Sequence, residues 1–199
     1  MNKFKFPIIF FFIVSACRVF GQSPTNLEMF QKLIDESVDK VNSNLNISEG
    51  SREVHLSIPS SLEQLKPGII KSFMSKGYTI SQNNLQDNSV SYLLNSASVS
   101  YGDSFTDGLF GEVLSERNLF LTGSFYSVQN GKIGMPAAFD LSCSDTVKVD
   151  EIQQIENKSL LFTQGKPPEP PFFSNLLEPI IVVGTLITTV ILLFTVRSK

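Results

Sequence analysis

The chain has 199 residues, 16 Lys and Arg against 19 Asp and Glu, a net charge of −3 and no tryptophan. No basic block stands outside the two ends, so nucleic-acid binding has no electrostatic basis. One histidine and two cysteines form no cluster at metal-ligand spacing, and no cofactor or metal is expected.

The first residues read as a leader. Met1-Asn-Lys-Phe-Lys5 is basic, and the run from Pro7 to Ala16 is apolar. That run is too short to span a bilayer and suits the core of an export signal. Val14-Ser-Ala-Cys17 resembles a bacterial lipobox, which makes Cys17 a candidate for lipidation. Val19-x-Gly21 fits ordinary cleavage, and cleavage after Gly21 is the preferred reading. Residues 1–21 are assigned to the signal peptide and 22–163 to one exported domain, long enough to bury a core.

Thr25-Asn-Leu-Glu28 is a capping box. The helix behind it carries Leu27, Phe30, Leu33, Ile34, Val38, Val41 and Leu45 at three- and four-residue steps. Glu53 to Ile58 alternates as a half-buried strand, with His55 on its polar face as an ordinary surface histidine. Ser60-Ser-Leu-Glu63 repeats the capping-box grammar, and Pro67 predicts a kink or a break in the helix that follows. Gly77 is a helix C-cap, and Tyr78 to Ser81 reads as a second strand. A strand–helix–strand unit of this length implies parallel strands.

Val90 to Tyr101 reads as a long strand. Val90, Tyr92, Leu94 and the serines at 96, 98 and 100 fall on one face; Leu93, Ala97, Val99 and Tyr101 fall largely on the other. Gly102 to Gly111 reads as a mobile loop whose apolar residues Phe105, Leu109 and Phe110 are a candidate partner contact. Its carboxylates Asp103, Asp107 and Glu112 do not match a calcium loop. Asn130-Gly131 between two apolar runs is a type I′ hairpin signal, with Pro136 placing the return strand at an edge or a bulge. Residues 159–163 fit a final strand or a short helix equally. Cys143 has no internal disulfide partner and reads as a small buried hydrophobe. Asn46 and Asn157 head glycosylation acceptor triplets that matter only in a eukaryotic source.

Gly165-Lys-Pro-Pro-Glu-Pro-Pro171 opens a stiff extended spacer, assigned to 164–175. Residues 176–196 are expected to form one C-terminal transmembrane helix, followed by a cytoplasmic tail at 197–199. Gly184 and Thr188 are a candidate helix–helix face within it.

The run Lys76-Gly77-Tyr78, the segment Tyr92-Leu-Leu-Asn-Ser-Ala97 and the hairpin from Phe120 to Gly131 resemble the small α/β domain of bacterial curli-secretion and flagellar-assembly lipoproteins. The resemblance covers about residues 27–143 and implies that fold and an envelope role. The C-terminal span departs from it, since that group is anchored by lipid. The expected fold is thus α+β or α/β, a mixed sheet with two helices packed on one face plus the transmembrane helix. The expected function is non-enzymatic: a single-pass protein of the bacterial envelope, its domain periplasmic and its C-terminus cytoplasmic, which binds a protein partner in assembly or secretion. The alternatives are a small-ligand or lipid-binding sensor, or a cell-wall or carbohydrate hydrolase using Asp103 and Asp107.

Overall fold

The computed structural model describes residues 23–44, 53–81, 88–108, 111–169 and 174–196. The leader, Cys17, Leu109 and Phe110 lie outside them. The first helix, α1 (Asn26–Asn44), starts where the capping box places it. Thr25 N–H donates to Glu28 Oε2 at 2.8 Å, and Glu28 N–H donates to Thr25 Oγ1 at 3.2 Å. This reciprocal pair satisfies two otherwise orphaned donors of the first turn. The bonds from Thr25 also hold the Glu28 carboxyl below its usual range. Phe30, Leu33, Ile34, Val38 and Val41 form the buried stripe.

Strand β1 (Glu53–Ser57) leads into a 3-10 turn at Ser60–Leu65. The second capping box does not form: Pro59 is the N-cap, and no side chain caps the turn. The break at Pro67 does form. Helix α2 (Lys66–Ser75) begins there, with proline in its first turn where no donor is needed. Its end is a Schellman closure. Gly77 has φ +83°, and Tyr78 N–H donates to the Phe73 carbonyl at 3.1 Å. Strand β2 (Thr79–Ile80) follows, parallel to β1 as expected.

Two long strands carry the sheet, β3 (Ser89–Thr106) and β4 (Val113–Gln129). Asn130 and Gly131 both take positive φ, 52° and 68°, which is the type I′ turn the Asn-Gly pair favours. The return is cut in two. After β5 (Lys132–Ile133), Gly134 still donates its N–H to the Ser127 carbonyl at 2.7 Å, Met135 and Pro136 leave the ladder, and β6 (Ala137–Lys148) resumes it. Beyond β6, expected to end near Cys143, come a 3-10 turn (Val149–Glu151), a short helix α3 (Ile152–Ile155) and another 3-10 turn (Leu161–Thr163). Of the two forms left open for 159–163, the structure takes the short helix, as this 3-10 turn.

The strand order is β2-β1-β3-β4, with β5 and β6 both on the far side of β4. β1 pairs in parallel with β2 and β3, and the other pairings are antiparallel. The mixed sheet with helices on one face is therefore present, as an α+β fold. Its core joins α1 and α2 to the inner side of the strands. Phe73 meets Tyr78 and Tyr92 edge-on at 5.4 and 5.3 Å, and Tyr92 stacks on Phe139 at 5.4 Å.

The alternation read from β3 needs one correction. Its pairing with β4 shifts between Leu94 and Ser96, so Asn95 is an extra residue in the ladder. A bulge of one residue exchanges the two faces. Val90, Tyr92 and Leu94 face the core before it, and Val99 is buried after it, while Ser96, Ser98 and Ser100 are exposed. The expected loop from 102 is also corrected: β3 runs on to Thr106, with Phe105 paired to Leu114.

The expectation of a C-terminal membrane span is overturned as well. Among the described residues no helix is long and apolar enough to cross a membrane. Helix α4 (Ser174–Val196) contains Pro179. The single-pass topology, with a cytoplasmic C-terminus, is withdrawn with it. Within α4, Thr188 Oγ1 donates to the Gly184 carbonyl at 2.8 Å, and a Cβ on Gly184 would meet nothing within 4 Å.

The segment after the last 3-10 turn lies against β3. A Cβ on Gly165 would fall 2.8 Å from the Tyr101 ring and 3.1 Å from the Val99 carbonyl. The Ser104 hydroxyl donates to the Glu169 carbonyl. Pro167 and Pro168 carry no N–H, so this strap covers the part of β3 that β1 does not reach without adding a ladder to it.

Gly123 sits opposite the bulge, and a Cβ there would fall 2.3 Å from Phe139 Cζ and 2.4 Å from the Leu93 carbonyl. The backbone atom cannot move without opening the β3–β4 ladder. Gly123→Ala is expected to destabilise the fold by about 2–4 kcal/mol. Urea unfolding followed by circular dichroism checks it; an unchanged midpoint contradicts the close approach.

Candidate functional site

The largest fully buried side chain is charged. Arg117 on β4 has no exposed surface. Burying a guanidinium costs several kcal/mol unless its donors are met. Here Nε and Nη2 grip the Asp145 carboxylate on β6 at 2.7 and 2.5 Å. Nη1 donates to the Pro24 carbonyl at 2.8 Å and to Asn26 Oδ1 at 2.7 Å. Asn26, also buried, turns its amide the other way, donating to Tyr101 Oη at 3.0 Å and to the Thr163 carbonyl at 2.7 Å. One knot therefore ties the start of α1, the strands β3, β4 and β6, and the last 3-10 turn. Burial pushes the Tyr101 phenol up to about 12, against the opposing pull of its Asn26 bond. This constellation offers a substrate nothing, because its polar groups are spent on one another. It is structural.

The sequence-singled residues do not converge. Phe105 is 48% exposed at the far end of β3, while its expected companions lie outside the described residues. Glu112 is taken by Lys148, at 2.6 Å, and the bond raises the Lys148 pKa. Cys143 is half-buried on the inner side of β6, and burial raises its thiol pKa, so it is held as the poorly nucleophilic thiol. His55 is not a plain surface histidine. It is half-buried on the outer face of β1, and its Nδ1, like Glu53 Oε2, is buried with no hydrogen-bond partner among the described residues. Asn157 caps a turn, accepting from Ser159 N–H at 2.9 Å.

What the strands do bring together is the face of the sheet opposite the helices. Ser98, Phe120 and Ser142 stand abreast on β3, β4 and β6. Ser96, Thr122 and Asp140 form the next row, and Ser100, Asn118 and Ser144 the row on the other side. The Ser96 and Thr122 hydroxyls bond at 2.7 Å, and Ser144 donates to Asn118 Oδ1. Phe120, 41% exposed, is the large apolar side chain at the centre of this hydroxyl and amide field. The sequence carried the signal in the serines at 96, 98 and 100, but the bulge hid which face they shared. At the bulge itself a shallow groove of about 590 Å³ opens, lined by Ser60, Ser61, Gln64, Asn95, Ser96 and Ser159 with Leu62, Leu160, Leu161 and Phe162. Its lining holds no charged side chain.

No family model and no curated protein matches the chain. Among solved structures it is similar to a minor lipoprotein from Acinetobacter baumannii, at 16% identity over 56% of this chain and 80% of that one, with a TM-score of 0.36. It is also similar to rare lipoprotein B from Shewanella oneidensis, at 12% identity over 73% of this chain and 93% of that one, with a TM-score of 0.35. Both are bacterial lipoproteins by name, and neither name mentions curli secretion or flagellar assembly. Likeness at this level does not extend to function.

Two outcomes test the knot. Arg117→Leu leaves Asn26 and Asp145 without their shared donor and is expected to lower stability by about 3–5 kcal/mol, read from the urea midpoint. The raised Tyr101 pKa makes a second claim. Its folded value lies above the unfolded 10.0, so its contribution is complete below pH 10 and is lost as pH rises towards 12. Tyr101→Phe is therefore expected to flatten the decline of melting temperature over that interval. An unchanged slope removes Tyr101 from the knot.

Proposed function

We propose that this chain is a non-enzymatic protein of the bacterial envelope whose α+β domain binds another protein during envelope assembly or secretion. The leader at the N-terminus supports export. The observation that carries the binding role is the open sheet face centred on Phe120. One aromatic ringed by hydroxyl and amide groups, with the Asp140 carboxylate at one corner, is the composition of a binding patch with an apolar anchor and a polar surround. The rigid three-strand platform beneath it presents that anchor at little entropic cost.

The groove at Asn95 favours a second reading, a sensor for a small uncharged ligand. Its volume falls within the range of small-molecule sites, but it is open and lies beside the sheet rather than enclosed by it.

A photo-crosslinking residue placed at Phe120 in the exporting bacterium is expected to yield a discrete adduct. Phe120→Asp is expected to abolish co-purification of the same partner while the folded domain keeps its melting temperature. A discrete adduct from Leu161 in the groove, with none from Phe120, overturns the reading in favour of the sensor.

A further inference from the structure

Strand β1 carries two polar atoms that the described chain leaves unmet, Glu53 Oε2 and His55 Nδ1. An ionised carboxylate only accepts hydrogen bonds, and a neutral imidazole has one nitrogen that only accepts. A buried acceptor without a donor costs about 1–3 kcal/mol, and this strand of five residues holds two of them. Among the described residues no lysine or arginine forms an ion pair with Glu53.

The two side chains share a face. Val54 between them points into the core, so Glu53 and His55 both leave the outer side of the sheet, their Cβ atoms about 6–7 Å apart. The neighbouring strand adds an oxygen. Ser91 on β3 stands directly beside His55, on the same outer side, and is 3% exposed. Two lone pairs therefore sit together with an enclosed hydroxyl in the next strand.

The occupant is constrained by size and by the donor set. Both unmet atoms are enclosed although their side chains are half-buried. An ammonium on a side-chain stem is too bulky to reach both; a bare ion is not. Calcium and magnesium favour six or more oxygen ligands, whereas an imidazole nitrogen suits zinc, copper and nickel. Metal–ligand distances of about 2.0–2.2 Å to nitrogen and to carboxylate oxygen let one ion bridge side chains spaced in this way.

We propose that Glu53 and His55 chelate one divalent transition-metal ion of the zinc or copper kind, through Oε2 and Nδ1, with the Ser91 hydroxyl beside it. Among the described residues no third His, Cys, Asp or Glu joins the pair. The outward positions of the ion fall to water, and the site is weak and exchangeable rather than structural. It lies on the same side of the sheet as Phe120 but in the row of Tyr126, six residues and roughly 20 Å further along β4. The inference is independent of what binds around Phe120.

The test uses the full chain in mild detergent, since α4 exposes apolar side chains. Titration calorimetry with Zn²⁺ alone is expected to show one site of micromolar strength, and Ca²⁺ and Mg²⁺ are expected to give no heat. Cu²⁺ is expected to show an electron paramagnetic resonance spectrum with a single coupled imidazole nitrogen, which can only be His55, the one histidine of the chain. His55→Gln and Glu53→Gln are each expected to weaken Zn²⁺ binding at least roughly tenfold without lowering the melting temperature of the metal-free protein; Cys143→Ser is expected to leave binding unchanged. Absence of Zn²⁺ binding up to millimolar concentration overturns the proposal. So does binding that His55→Gln leaves at full strength, and so does Ca²⁺ or Mg²⁺ binding as tightly as Zn²⁺.

Discussion

A buried guanidinium decides how this chain closes. The sheet is built from elements far apart in sequence, and its apolar core would accept several placements of α1 over it. Arg117 accepts very few. Its fork meets Asp145, the Pro24 carbonyl and Asn26 in one geometry. Asn26 then passes the constraint on to Tyr101 and Thr163. Any slip of α1 strips Nη1 of the Pro24 carbonyl and Asn26 and leaves buried donors unmet. Hydrophobic burial supplies most of the drive to fold; the knot selects which packed arrangement is native. Asp145 remains partly exposed, 30% at the side chain, which lightens the desolvation of the pair while Arg117 is fully enclosed.

Much of the local structure was legible because it rests on short-range chemistry. The capping box at Thr25 and Glu28, the helix break at Pro67, the C-cap at Gly77 and the Asn130-Gly131 turn each depend on one or two residues and their own backbone. They appear where those residues stand. The second capping box shows the limit of that reasoning. Ser60 and Glu63 have the right spacing, yet the backbone enters from Pro59 as a 3-10 turn, and no side-chain cap forms. The difference is set by how the chain leaves β1, a tertiary fact.

The errors elsewhere have separate causes. Period-two reading assumes a regular ladder, and the extra residue at Asn95 breaks it. The reading that put the serines with Val90 and Tyr92 was right for the sequence distance and wrong for the face. Arg117 was passed over for a related reason. It occupies a core parity between Ser115 and Leu119, and only its distant partners, 28 residues away at Asp145 and 91 away at Asn26, make that position tolerable. No local pattern encodes such a partnership. The membrane span failed for a third reason. A count of apolar letters ran from Pro179 to Val196, but among the described residues no helix is long and apolar enough to cross a membrane.

The open face of the sheet follows from the same parity exchange. Had β3 stayed regular, apolar residues would lie outward after Leu94 and the face would be sticky. The bulge sends Ala97, Val99 and Tyr101 inward and leaves hydroxyls outward, so the uncovered side is wettable without a second layer of helices. Such a face binds weakly over most of its area, because each hydroxyl already has water to bond. What stands out from it is the aromatic at its centre, Phe120. Ser96 with Thr122, and Ser144 with Asn118, are already bonded to each other, which restrains these side chains. Restrained side chains on a flat polar surface lose less entropy on any contact than free rotors do.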